Sequence, residues 1–246
     1  MSGQRHYLKA PITEALIELR TEPTQALTQQ MLRQVGESVA SQYPREEELF
    51  QTVGQFEVRA GGTSASAQQS FIGFKRTNAE QTQVLQSRLN GLTFSRLAPY
   101  ESWEPFRDET RRLWDIYREK IPPKAVVRLA VRYINRIDVP GGAVDLKEYL
   151  RTCPEVSPEL PQQLDGFFMQ LVLPFPELPG HALINQTIIP PPRDGVVSIV
   201  LDVDLYCSEN VPQDEAGIWD FFETLHVRKN EVFEACITDS ARKLFD

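Results

Sequence analysis

Cysteine and histidine are scarce in this chain of 246 residues, with three of each, and neither recurs at a spacing that builds a metal or redox centre. Cys153, Cys207 and Cys236 form no CxxC pair, and an odd, scattered set gives no disulfide framework, so reduced and mostly buried thiols are expected. His6, His181 and His226 show no HExxH or other ligand spacing, and His226 falls in the last helical stretch as a surface or partly packed residue. GxSxG, GxGxxG and a phosphate-binding GxxxxGK are all missing, which removes the commonest hydrolase, dinucleotide and nucleoside-triphosphate readings. Apolar runs stay well below the ~18–20 residues needed to cross a bilayer. The opening MSGQRHYLKAPITEAL lacks the apolar block and small-residue cleavage site of a secretory signal, so a cytoplasmic protein without membrane contact is expected. Positive charge is also in deficit. With 26 Lys+Arg against 34 Asp+Glu the formal net charge is −8, and the broad positive field that neutralises phosphates is lacking, so nucleic acid is not an expected partner.

What is present is an ordinary globular composition, 41% hydrophobic and 24% charged. A chain of this size buries roughly 70–75% of its unfolded surface on folding. Residues 12–19, ITEALIEL between Pro11 and Pro23, read as a strand. Leu27, Met31, Leu32, Val35 and Val39 recur at helical spacing between Thr24, a plausible N-cap, and Pro44. Residues 55–60 and 71–76 read as short strands separated by a loop, Gly61 to Ser66. Asn90-Gly91 sits between two strand-like runs, the strongest short-range hairpin signal. Residues 100–121 predict a helix with Trp103, Phe106, Leu113, Trp114, Tyr117 and Ile121 on its apolar face. Residues 125–139 predict the longest strand of the first half. A short helix from Asp145 and the proline-containing CPEVSPELPQQ then make a linker. Strands at 167–173, 181–189 and 196–206 and a helical region from about Asp214 to Phe245 complete the chain.

Trp103, Phe106, Tyr117 and Ile121 of the first long helix match Trp219, Phe222, Phe233 and Ile237 of the last in one register. The expected fold class is therefore α+β: two related antiparallel meander-plus-helix units sharing a core, residues 1–143 and 167–246, joined by a linker at 144–166 within one compact domain. Independent domains divided near residue 155 are the alternative arrangement.

Strand side chains alternate between faces, and parity isolates an unusual set of charges. In 125–139, Val127, Leu129, Val131, Tyr133 and Ile137 share one face with a polar exception, Asn135, while Arg128, Arg132 and Arg136 line the other, about 13 Å apart at ~3.3 Å per residue. In the first strand Ile12, Glu14, Leu16, Glu18 and Arg20 share a face, and in 196–206 Asp202 and Asp204 do. If these strands are neighbours, Glu14 and Glu18 pair with the arginine row, and bidentate geometry favours the arginine found at all three positions. Such a face can be a sheet surface whose charges pair with one another, a cleft for an anionic or zwitterionic ligand or a partner chain, or an interface between copies of this chain. Asp202 and Asp204 on alternate residues can instead hold Mg²⁺ or Mn²⁺, as carboxylate-bearing strands do in enzymes of phosphoryl and nucleotidyl transfer. Trp103, Trp114, Trp219, Phe221 and Phe222 have core-like helical spacing and are expected in packing.

The segments Pro11 to Leu16, Phe94-Ser95-Arg96-Leu97 with Tyr100 and Trp103, Arg128 with Arg132 to Arg136, Leu201 to Asp204, and Phe233 to Phe245 together resemble a sporadically distributed family of bacterial and archaeal proteins. Its most specific marks are the Pro-Ile-x-Glu-Ala opening and the Arg-Tyr-Ile-Asn-Arg strand. The resemblance implies a single full-length unit, carries no transferable activity, and points to an accessory role such as defence. The leading expectation is a binding module that recognises a protein partner or anionic ligand through Glu14, Glu18, Arg128, Arg132, Asn135 and Arg136. The alternative is a metal-dependent enzyme of phosphoryl or nucleotidyl transfer at Asp202 and Asp204, and a homo-oligomeric structural protein is a third possibility.

Overall fold

The computed structural model describes residues 5–59, 62–142, 144–175 and 177–246. They form an α+β protein in which nine strands make one antiparallel sheet. The first strand, β1 (Ile12–Pro23), lies at the middle of that sheet, held by strands far away in sequence. On one side stands β5 (Gly91–Leu97), the last strand of a meander built from β2 (Arg45–Arg59), β3 (Gly62–Thr77) and β4 (Gln83–Arg88). On the other side stands β6 (Pro123–Pro140), followed outward by β9 (Val196–Cys207), β8 (Gly180–Ile189) and β7 (Phe168–Phe175). The order is thus β2-β3-β4-β5-β1-β6-β9-β8-β7.

Alternation sets the two faces of this sheet. Ala15, Ile17 and Leu19 of β1, Leu129, Val131, Tyr133 and Ile137 of β6, and Ile199, Leu201, Val203 and Leu205 of β9 are all at most 1% exposed. They face the long helices α2 (Trp103–Lys120) and α4 (Glu215–Cys236), which with α1 (Gln29–Glu37) and the short α3 (Leu146–Tyr149) and α5 (Asp239–Arg242) complete one continuous core. Trp103, Trp114, Trp219 and Phe222 are buried there and Phe221 packs against its edge, as their spacing predicted. Cys207 and Cys236 are buried free thiols and Cys153 is half-buried. Among the described residues no helix is long and apolar enough to cross a membrane.

Several elements differ from the sequence reading, each for a local reason. The first helix starts later, because Thr28 rather than Thr24 caps it, its hydroxyl accepting from the Met31 N–H. Residues 45–54, to which the sequence reading assigns no element, extend as β2, and its glutamates pair across to β3: Glu47 with Lys75 at 3.2 Å, and Glu46 with the buried Arg76. Strand β3 takes in residues 62–66 of the expected loop, whose first residue, Gly61, lies outside the described residues, as does residue 60 at the end of the expected short strand. The tight turn is Leu89-Asn90, with Gly91 opening β5 at φ +137° against the backbone of β1. Two irregularities overturn the parity reading at the strand ends. Arg128 and Val126 pair with the consecutive residues Arg20 and Thr21, so Val127 is an extra residue that turns outward, 41% exposed, while Val126 is buried. Thr13 is likewise extra opposite Ile134 and Asn135, which moves Ile12 onto the core side.

Candidate functional site

No helix packs on the second face of the sheet among the described residues, and this is where the charged side chains meet. Because β1 and β9 flank β6, Glu14, Glu18 and Arg20 come from one side of the arginine row and Asp202 and Asp204 from the other. Register places Glu18 across from Ala130, Glu14 and Asp202 across from Ile134, and Asp204 across from Arg132. The guanidiniums all lean toward the carboxyl end of β6, so each meets partners beyond its own level. Arg128 donates to Glu18 and, at 3.0 Å, to Asp204, and lies 4.5 Å above the ring of Tyr206. Arg132 holds Asp202 with two bonds of 2.7 and 2.6 Å. Arg136 donates to Asp138 at 2.9 Å and to the Ser198 hydroxyl at 3.1 Å.

The pairing extends sideways through neutral groups. Asn185 of β8 donates to Asp202 at 3.0 Å and accepts from Gln170 of β7 at 2.8 Å. Arg20 donates to Glu18 at 3.2 Å. Laid flat on the sheet, these long side chains cover the small residues beneath, which explains why Ala130 and Ser198 are at most 1% exposed on an otherwise open face. Half-buried aliphatics, Leu16, Leu97, Ile134, Leu183 and Val200, fill the spaces between the charged groups.

Not every expected member joins. Glu14 shares the face but makes no ion pair among the described residues, because Arg132, which reaches its level, turns to the bidentate Asp202 instead. Asn135 is not on this face at all. It is 2% exposed on the helix side and donates to the backbone oxygens of Leu201 and Tyr133, so it fastens β6 to β9. Asp202 and Asp204 stand as arginine acceptors. Asp204 keeps one oxygen without a partner, and burial raises its pKa against the opposing pull of Arg128 and Arg132. Among the described residues no group of three or more His, Cys, Asp and Glu side chains has the arrangement of a cation site.

A second unusual cluster lies beneath α4. Lys229 is 5% exposed, makes no ion pair among the described residues, donates to Asn230, and sets its ammonium 3.4 Å from the centroid of the Tyr133 ring. Burial lowers its pKa to about 7. One turn earlier His226, buried rather than on the surface, stacks on Trp103 with ring centroids 4.2 Å apart, and burial followed by the charges of Lys229 and Arg107 lowers its pKa to about 3. The Tyr133 hydroxyl meets that of Tyr100 at 2.6 Å, and burial pushes the Tyr133 pKa well above its usual value. Sequence reasoning missed Lys229, although a signal existed: it falls four residues after Leu225 and seven after Phe222, within the apolar stripe of its helix.

The more spacious of two shallow depressions, about 390 Å³, is lined by Lys147, Leu150, Arg151, Cys153, Glu155 and Thr238 and shares no residue with either cluster. Compared with known proteins, the chain matches no protein-family model and no curated protein.

Proposed function

We propose that the chain is an intracellular binding module whose open sheet face docks a protein partner. The observation carrying this reading is the composition of that face: arginine and carboxylate groups already neutralised against each other, interleaved with half-buried aliphatic side chains. A free anion binds best to unpaired guanidinium groups, whereas here each member of the row has an internal acceptor. A mosaic of satisfied charges and aliphatics suits a protein surface, where polar groups contribute register and selectivity while apolar groups supply the gain on burial. Metal-dependent transfer at Asp202 and Asp204 has less support, since three of their four carboxylate oxygens already accept from Arg132, Asn185 and Arg128.

An internal duplication underlies the scaffold in this reading. In each half a leading strand pairs with the last strand of a later meander, and a long helix follows: β1 with β5 then α2, and β6 with β9 then α4. The matched residues Trp103 and Trp219, Phe106 and Phe222, Tyr117 and Phe233, Ile121 and Ile237 are all buried. The same register puts Lys229 where the first half has Leu113, so the buried amine is a departure of one half from the shared plan.

Site-specific photo-crosslinking in cells tests the docking face. A crosslinking residue at Ile134 or Leu16 should capture a discrete protein, and one at Val227, on the exposed side of α4, should not. Crosslinks arising from Val227 alone would overturn the reading.

A further inference from the structure

The two outer strands of the sheet differ sharply. Strand β2 opens with Arg45, Glu46, Glu47 and Glu48, the kind of charge that keeps an edge from pairing with other chains, and follows them with the uncharged run Leu49 to Phe56, where Phe50 and Val53 are 51% and 48% exposed. Strand β7, Phe168-Met169-Gln170-Leu171-Val172-Leu173-Pro174-Phe175, has no charged residue, although the protein as a whole has a net charge of −8. Among the described residues it pairs with β8 alone. Phe168 and Val172 are 69% and 53% exposed on the face of Asn185, which leaves that side of the strand open, while on the opposite face Leu173 is 41% exposed and Leu171 and Phe175 pack against the core. The outward row of backbone N–H and C=O groups is therefore open along a strand of high β-propensity with a single protecting residue, Pro174, next to its end.

We infer that β7 is the contact between two copies of this chain, pairing antiparallel with β7 of a second copy about a two-fold axis. An uncharged strand meets its own copy without bringing like charges together, in a chain whose acidic groups outnumber its basic ones by eight. The two-fold arrangement is self-complementary and closed, because the same patch serves both partners and each copy uses the one edge strand that carries no charge along its whole length. The glutamates of β2 disfavour the head-to-tail alternative, in which β7 of one copy meets β2 of the next and the sheet grows without end. Main-chain hydrogen bonds supply the attachment, and Phe168 and Val172 of the two copies cover one another on the open face.

Sedimentation velocity on the full-length protein over a range of concentrations tests the inference. A single species of twice the chain mass is expected. Val172→Lys and, separately, Phe168→Lys alter exposed side chains, and symmetry places two new charges across the shared axis. Each should weaken association by about tenfold or more while the circular dichroism spectrum stays unchanged. Two variants at different positions keep the test decisive if one of them fails to fold. A monomeric wild-type protein, a mass that grows without limit with concentration, or a dimer that survives in a folded variant overturns the inference.

Discussion

Replacing Lys229 with methionine removes a buried charge and keeps most of the volume of its stem. Burial lowers the pKa of this amine from 10.5 to about 7, and at about 1.36 kcal/mol for each tenfold change in proton affinity this is a penalty of roughly 5 kcal/mol on the protonated form. The sign follows from proton counting. Between pH 7 and 10.5 the unfolded chain holds a proton that the folded chain releases, so stability rises with pH across that window, and below pH 7 the full penalty applies. Urea unfolding at pH 7 and pH 9 should therefore show the wild-type protein gaining about 2 kcal/mol at the higher pH. The Lys229→Met variant should lack that gain and exceed the wild type by up to about 4 kcal/mol at pH 7. The three cysteines, whose burial raises their pKa values, pull in the opposite direction near pH 9, but equally in both proteins. A Lys229→Met protein with the same pH slope as the wild type would refute the reasoning.

Three further expectations follow from the same geometry. Arg132→Ala leaves the nearly buried Asp202 with Asn185 as its remaining partner and should cost about 3 kcal/mol in chemical denaturation, whereas Arg132→Met combined with Asp202→Leu should recover most of that loss; equal losses in the two proteins would contradict it. Gly91→Ala should destabilise by well over ~1 kcal/mol, because the glycine has positive φ and an added Cβ would lie 2.0 Å from the Leu19 carbonyl oxygen; an unchanged melting temperature would disprove the tight approach of β5 to β1. Stability should fall as pH drops below 6.5 toward 3, where the unfolded chain protonates a histidine that the folded chain keeps neutral, and His226→Gln should flatten that limb in acid titrations followed by tryptophan fluorescence.

Patterns with a short period were the most legible in the sequence. The arginine row of β6 and the carboxylates of β1 and β9 follow from alternation alone, and α2 and α4 from their aromatic spacing. Whatever depended on pairing was hidden. Residues 45–54 receive no element from the sequence, and Lys75 and Arg76 stand opposite them only in the paired strands. Val127 and Thr13 invert local parity because a neighbouring strand sets the register, and no property of those residues announces a bulge. Alternation also placed Glu14 on the correct face without revealing that Arg132 bonds elsewhere. Lys229 was legible as a break in an apolar stripe, yet a lone lysine on a helix usually reaches solvent, and its burial depends on β6 lying directly beneath.

The position of β1 has a consequence for synthesis on the ribosome. Its two neighbours arrive at very different times, β5 some 75 residues later and β6 more than 100 residues later. A nascent chain that has completed α2 therefore exposes one long side of β1, with Ile17 and Leu19 ready to pair with any extended segment nearby, until translation delivers β6 to cover it. Premature termination before residue 123 should yield sticky, chaperone-bound fragments rather than a small soluble half, however closely the two halves correspond.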